Sequence, residues 1–201
     1  MLRSQQRKEM RSSIKKSWIL DKAGVLFWEK GYHSTGMRDI ARACECKPAN
    51  IYNYFKGKED ILFEVIREIT EQAVMSIKFL EDDEDTSPVE QLRSLIKSHF
   101  GILMQMARSN KLISDTGLKD LSAEHRREII ELRDKYDSIM LKVIRRGIKS
   151  GDFSVKDEKV MVYLISSIIV RSTIWFSPKG KYSVDEIGDI MFNFAYQGLK
   201  A

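Results

Sequence analysis

From Ile19 to Leu199 the apolar residues recur at intervals of three and four, and no stretch of the 201-residue chain alternates apolar with polar side chains. A strand needs a period of two and a helix a period near 3.6, so this spacing predicts an all-α fold of about nine helices. Ile19, Leu20, Ala23, Leu26 and Phe27 form one apolar stripe, which Gly31 ends as a C-cap. Ile61, Val65, Ile69 and Ala73 form another directly after Lys58, and helical patterns follow over 88–107, 110–118, 123–149, 157–176 and 184–199. The acidic run at 81–85, with Thr86, Ser87 and Pro88, reads as a solvated loop, and Gly151 and Lys179-Gly180 read as breaks.

Residues 34–58 read as two short helices around a tight break. Ser34 or Thr35 caps the first, in which Met37, Ile40, Ala41 and Cys44 share an apolar face while Arg38 and Arg42 lie off it. Glu45-Cys46-Lys47 carries no periodic signal, and Pro48 suits a first helical turn, so the second helix starts there. Ile51 and Phe55 make its buried edge, with Lys47, Ala49, Asn50, Tyr52, Asn53 and Tyr54 around the other side. Asn pairs bidentately with adenine, Tyr and Lys reach phosphates, and Ala permits close approach to a thymine methyl. Two short helices bearing these groups are a helix-turn-helix suited to the DNA major groove, with Thr35, Arg38 and Lys58 as further contacts.

The segments Ile19-Leu20, Leu26-Phe27, Gly31-Tyr32, Thr35 to Ala41 and Ile51 to Leu62 together resemble the N-terminal signature of TetR-type one-component repressors. The resemblance implies a homodimer whose N-terminal three-helix units bind a palindromic operator, with an all-helical C-terminal domain holding an effector. Residues 1–58 are then an N-terminal arm and DNA-binding unit, 59–80 a linking helix, and 59–201 the ligand-binding and dimerisation domain. The chain departs from the family at Glu45, where a Gly is usual. Positive φ is uncommon for Glu, so the turn is expected to be looser or differently shaped.

Charge supports a nucleic-acid partner. Residues 1–58 hold 13 Lys and Arg against five acids, a net +8, whereas the other 143 residues carry −3. Positive charge is concentrated where counterion release would need it. The polar first 16 residues are expected to be a flexible arm. No apolar leader follows the basic N-terminus, and the longest apolar stretch, 161–176, has an Arg inside it and is too short to cross a bilayer, so the expected location is the cytoplasm. The two cysteines, Cys44 and Cys46, have neither a zinc nor a dithiol spacing, and the three histidines are scattered, so no metal site or cofactor is expected. No phosphate-cradling glycine loop or nucleophile motif is present, and the chain is not expected to be an enzyme.

Within 161–176, Leu164, Ile168, Arg171 and Trp175 place a guanidinium between apolar neighbours on one helical face, where an anion must meet it. Two alternatives stand: Arg171 faces an effector cavity with Trp175 as an aromatic wall, or it forms an ion pair with another helix or the dimer partner. Residues 129–153 and 171–190 resemble the C-terminal domains of TetR-type regulators that sense CoA thioesters in fatty-acid and sterol degradation. That likeness implies an acyl-CoA or similar acidic amphiphile as effector, with Tyr136, Phe100 and Met104 as further cavity residues and 157–176 and 184–199 as the four-helix dimer interface. A neutral or cationic hydrophobic ligand is the alternative effector, and a helical interaction protein without DNA specificity the alternative class.

Overall fold

The computed structural model describes the backbone of residues 2–105 and 118–200, with side chains from Lys15 onward. Among these residues it is all-helical, with eight α-helices: α1 (Leu2–Lys30), α2 (Met37–Ala43), α3 (Pro48–Tyr52), α4 (Lys58–Ile77), α5 (Pro88–Gln105), α6 (Ala123–Ser150), α7 (Glu158–Trp175) and α8 (Val184–Leu199). Short 3-10 turns cover Lys78–Leu80 and Leu118–Asp120. The helix expected over 110–118 lies outside the described residues apart from Leu118.

The stretch 1–16 corrects the expectation of an arm, because α1 is helical from Leu2. Its Gln, Arg, Lys and Met residues are good helix formers, and no Gly or Pro interrupts them. Gly31, at φ +85, ends α1 as expected. Ile19, Leu20, Ala23 and Phe27 of α1 form the buried core of the N-terminal unit with Ile40 and Ala41 of α2, Ile51 and Phe55. Helix α4 closes this unit with Ile61, Leu62 and Val65. Lys16 of α1 reaches Glu64 of α4 at 2.9 Å.

Helix α4 continues into the second layer, where it packs on α5 and α6. There α5 lies against α4, α6, α7 and α8, around a core that includes Leu95, Ile96, Phe100, Ile139, Ile144, Ile169 and Phe192. Side-chain caps set the helix starts: Ser122 accepts from the His125 N–H, Asp157 from those of Lys159 and Val160, and Ser183 exchanges bonds with Glu186 in a capping box. The acidic loop after α4 is anchored by Arg146, whose guanidinium donates to the carbonyls of Asp83 (2.5 Å), Glu84 (2.8 Å) and Thr86 (3.2 Å) and to Gln91 Oε1 (2.7 Å).

Candidate nucleic-acid interface and internal cavity

Helix α2 is preceded by Gly36 at its N-cap, whose N–H donates to the Asp39 carboxylate at 3.0 Å. That bond, more than the nearby Lys30 and Arg42 charges, holds the Asp39 carboxyl below its ordinary range. Thr35 corrects the expectation of a DNA contact. It is 1% exposed, and its hydroxyl donates inward to the carbonyls of Gly31 (2.9 Å) and Leu26 (3.3 Å), sealing the end of α1.

The break between α2 and α3 is not loosened by Glu45, which adopts the left-handed conformation at φ 52. The Cys46 N–H donates to the Ala41 carbonyl (2.9 Å) and the Glu45 N–H to that of Arg42 (3.1 Å), a complete Schellman closure with Glu in the place that favours Gly. An L-residue there costs roughly 1–2 kcal/mol, partly offset because Gly loses more chain entropy on folding. Glu45→Gly is therefore expected to stabilise the protein by about 1 kcal/mol and raise Tm by roughly 2–4 °C in a thermal melt. A lowered Tm would mean that the Glu45 side chain holds the turn.

Ile51 and Phe55 pin α3 to the core and leave Lys47, Ala49, Asn50, Tyr52 and Asn53 exposed on its outer side, with Arg38 exposed on α2. Tyr54 is half-buried. Asn50, Asn53 and Tyr54 border a cleft of about 1020 Å³ whose opposite wall includes Lys15, Ser17 and Trp18 of α1. Lys58 has a structural role besides any DNA contact: its ammonium donates to the Tyr32 carbonyl at 2.8 Å and lies 4.2 Å from the Tyr32 ring centroid. Cys44 is half-buried, and burial followed by the neighbouring Cys46 pushes its thiol up to about 11, which suits an inert packing residue.

In the second layer a cavity of about 520 Å³ opens between four helices. Helix α4 contributes Ile69, Thr70 and Ala73, α5 contributes His99 and Leu103, and α6 contributes Arg133, Tyr136 and Asp137. Helix α7 completes the wall with Tyr163, Ser166, Ser167, Val170 and Arg171. Arg171 and Tyr136 are thus cavity residues, although Arg171 is exposed at the rim instead of sandwiched between apolar neighbours. Three expected cavity residues are corrected. Trp175 is 59% exposed and outside the wall, because the stripe it shares with Leu164 faces away from the core. Phe100 is fully buried edge-on against Phe176, and Met104 packs against the core without reaching the cavity.

Sequence reasoning missed Arg133, Asp137 and His99; the first two are one turn apart on α6, and packing of α5 on α6 brings His99 beside them. Burial lowers the Arg133 pKa against the opposing Asp137 charge, whereas burial and then Asp134 raise that of Asp137. A guanidinium held so is better satisfied by an added anion. Deeper in, His99 Nδ1 lies 2.6 Å from Tyr136 Oη. Burial lowers His99 to about 4 and raises Tyr136, so both are neutral near pH 7.

Two features join or flank these sites. The Glu59 carboxylate of α4 accepts from the Ser122 N–H (2.9 Å) and meets His125 Nδ1 of α6 at 2.8 Å, while His125 stacks on Phe63 with centroids 3.8 Å apart. Glu59, Asp60 and His125 each offer one atom within 4.8 Å of the others, the spacing of a metal site, but Glu59 and His125 are already bonded to each other, clasping the start of α4 to the start of α6. On the outside, Leu164 and Trp175 of α7 and Ile190 and Phe194 of α8 are exposed on neighbouring helices, held side by side where Gly198 faces Met161. None of the described helices is long and apolar enough to cross a membrane.

Residues 19–65 match the family model described as bacterial regulatory proteins, tetR family, and residues 85–199 match a tetracyclin repressor-like C-terminal domain. The chain is 27% identical over 187 residues to the fatty acid metabolism regulator protein of Bacillus subtilis (strain 168), covering 90% of this chain and 93% of that protein. It is similar to the crystal structure of the TetR family regulator PfmR from Thermus thermophilus, with a TM-score of 0.80, 28% identity and coverage of 91% and 99%. It also shares its fold with AibR, solved with isovaleryl coenzyme A and operator DNA, at a TM-score of 0.79, 22% identity and coverage of 90% and 97%.

Proposed function

The chain belongs to the TetR family of bacterial regulatory proteins, and from this we propose that it is a homodimeric repressor released from a palindromic operator by an acyl-CoA. It is a regulator and not an enzyme. Residues 1–58 form the DNA-binding unit and 59–201 the effector and dimerisation domain. Arg38, Lys47, Tyr52 and Tyr54 meet phosphates, Asn50 and Asn53 read base edges, and Ala49 allows α3 to approach the groove floor. Two copies associate through the exposed faces of α7 and α8.

The observation that carries the effector reading is the cavity wall. Ile69, Ala73, Leu103 and Val170 suit an acyl chain, while half-buried Arg133 and rim-lying Arg171 suit the thioester's anionic carrier outside. Naming the B. subtilis relative as a regulator of fatty acid metabolism points the same way. Coupling runs through α4, whose start packs in the DNA-binding unit and whose middle supplies Ile69, Thr70 and Ala73 to the cavity. A ligand that displaces that middle tilts one rigid helix and changes the spacing of the two reading heads. Only a ligand that prefers the displaced state can do so.

Short- and medium-chain acyl-CoAs are expected to weaken operator binding by about 10-fold or more, read by fluorescence anisotropy on a labelled operator. Arg133→Ala with Arg171→Ala should abolish that response while leaving operator affinity without ligand near its starting value. Operator affinity unchanged at saturating thioester would sink the proposal and turn attention to neutral hydrophobic ligands.

A further inference from the structure

The depth of the cavity holds a polar set that a plain acyl chain cannot use. His99, Tyr136 and Thr70 are at most 7% exposed, whereas Arg133 is half-buried and Arg171 exposed, so the cationic groups mark the mouth and this set the floor. The Thr70 hydroxyl donates to the Ile66 carbonyl at 2.8 Å, which leaves its lone pairs as acceptors.

The His99–Tyr136 pair can be counted by protons. The neutral imidazole carries one N–H and the phenol one O–H, and one of these two protons bridges the 2.6 Å contact. If Tyr136 donates to Nδ1, the proton left over is on His99 Nε2. If Nδ1–H donates to Tyr136, it is the phenol O–H. Either tautomer leaves one donor and at least one acceptor in a buried wall, and covering that donor with hydrocarbon would leave it unsatisfied.

We propose that the effector's acyl group carries an oxygen at its buried end, a hydroxyl or keto group, which accepts a hydrogen bond from the surplus N–H or O–H of the His99–Tyr136 pair. This rests on the acyl-CoA reading above and narrows it: the cavity selects a partly oxidised acyl group over a saturated hydrocarbon of the same shape. A hydroxyl would in addition donate to Thr70 Oγ1, and a keto group would use the donor alone.

Matched thioesters differing only in that oxygen test it by calorimetric titration: octanoyl-CoA against 8-hydroxyoctanoyl-CoA, phenylacetyl-CoA against 4-hydroxyphenylacetyl-CoA, and cyclohexanecarboxyl-CoA against its 4-oxo derivative. The oxygenated member of at least one pair is expected to bind about 10-fold more tightly or better. In the double variant His99→Phe with Tyr136→Phe, which removes both candidate donors, that ratio should fall towards one. Thr70→Val should reduce it for hydroxyl pairs alone, and the wild-type ratio needs no variant if the double variant fails to fold. Equal or weaker binding of every oxygenated member overturns this inference and leaves the acyl-CoA reading standing, as does a ratio that survives in a folded double variant. If no thioester of either kind binds, both fall.

Discussion

Phe194→Glu is expected to leave the protein monomeric and to lower its operator affinity at least about 100-fold. Phe194 is 69% exposed, with Ile190 one turn before it on α8 and Leu164 and Trp175 exposed on α7, which α8 contacts. Large apolar side chains exposed on neighbouring helices mark an interaction face. In a two-fold interface each substitution occurs twice, and both carboxylates would enter an apolar seam without a partner, a cost of several kcal/mol per interface. The core is untouched, so the monomer should keep its helicity.

The affinity loss follows from linkage between the two heads. Once one head of a dimer is bound, the other binds at a high effective concentration, a gain of about 10²–10⁴ that a monomer forfeits. Mass photometry reads the first outcome and anisotropy on the operator the second. A Phe194→Glu protein that remains dimeric and binds the operator normally would place the dimer interface elsewhere.

What the sequence made legible was local. Pro48 at the start of α3, Gly31 after α1 and the Ile51–Phe55 edge were readable because backbone angles and helical period decide them within a few residues. Glu45 was readable as an anomaly but not as an outcome: the two Schellman hydrogen bonds and the buried cores of α2 and α3 outweigh a left-handed penalty of roughly 1–2 kcal/mol. Helix α7 defeated the period because it has two apolar faces. Val162, Ile165 and Ile169 enter the core, while Leu164 and Trp175 face outward, and spacing alone cannot say which stripe the protein covers. Arg171 was therefore found, but in the wrong surroundings. The cavity's other polar residues were invisible for another reason: His99, Arg133 and Thr70 lie on three helices, and only tertiary packing makes them neighbours.

Gly147→Ala is expected to destabilise the protein by about 2 kcal/mol and lower Tm by roughly 4–8 °C, although Gly to Ala inside a helix ordinarily gains about 1 kcal/mol. The reason is Phe153. A Cβ on Gly147 would overlap Cδ2 and Cε2 of the Phe153 ring and sit 2.6 Å from its Cγ, far inside contact distance. The ring cannot swing aside cheaply. After Gly151 turns the chain at φ +83, the Phe153 N–H donates to the Gly147 carbonyl at 3.0 Å and the Ser154 N–H to that of Leu199 at 2.7 Å, so the backbone on both sides is tied down. The ring is 3% exposed and meets Tyr196 edge-on, stapling the end of α6 to the end of α8. Overpacking of this kind costs about 1–3 kcal/mol, and the tied backbone puts this site at the upper end, which exceeds the helix-propensity gain. The cycle with Phe153→Ala separates the causes: in its absence the added methyl has room, so Gly147→Ala should become neutral or stabilising. If Gly147→Ala raised Tm in the otherwise unaltered protein, the staple would be loose, and α8 would owe its position to α5 and α7.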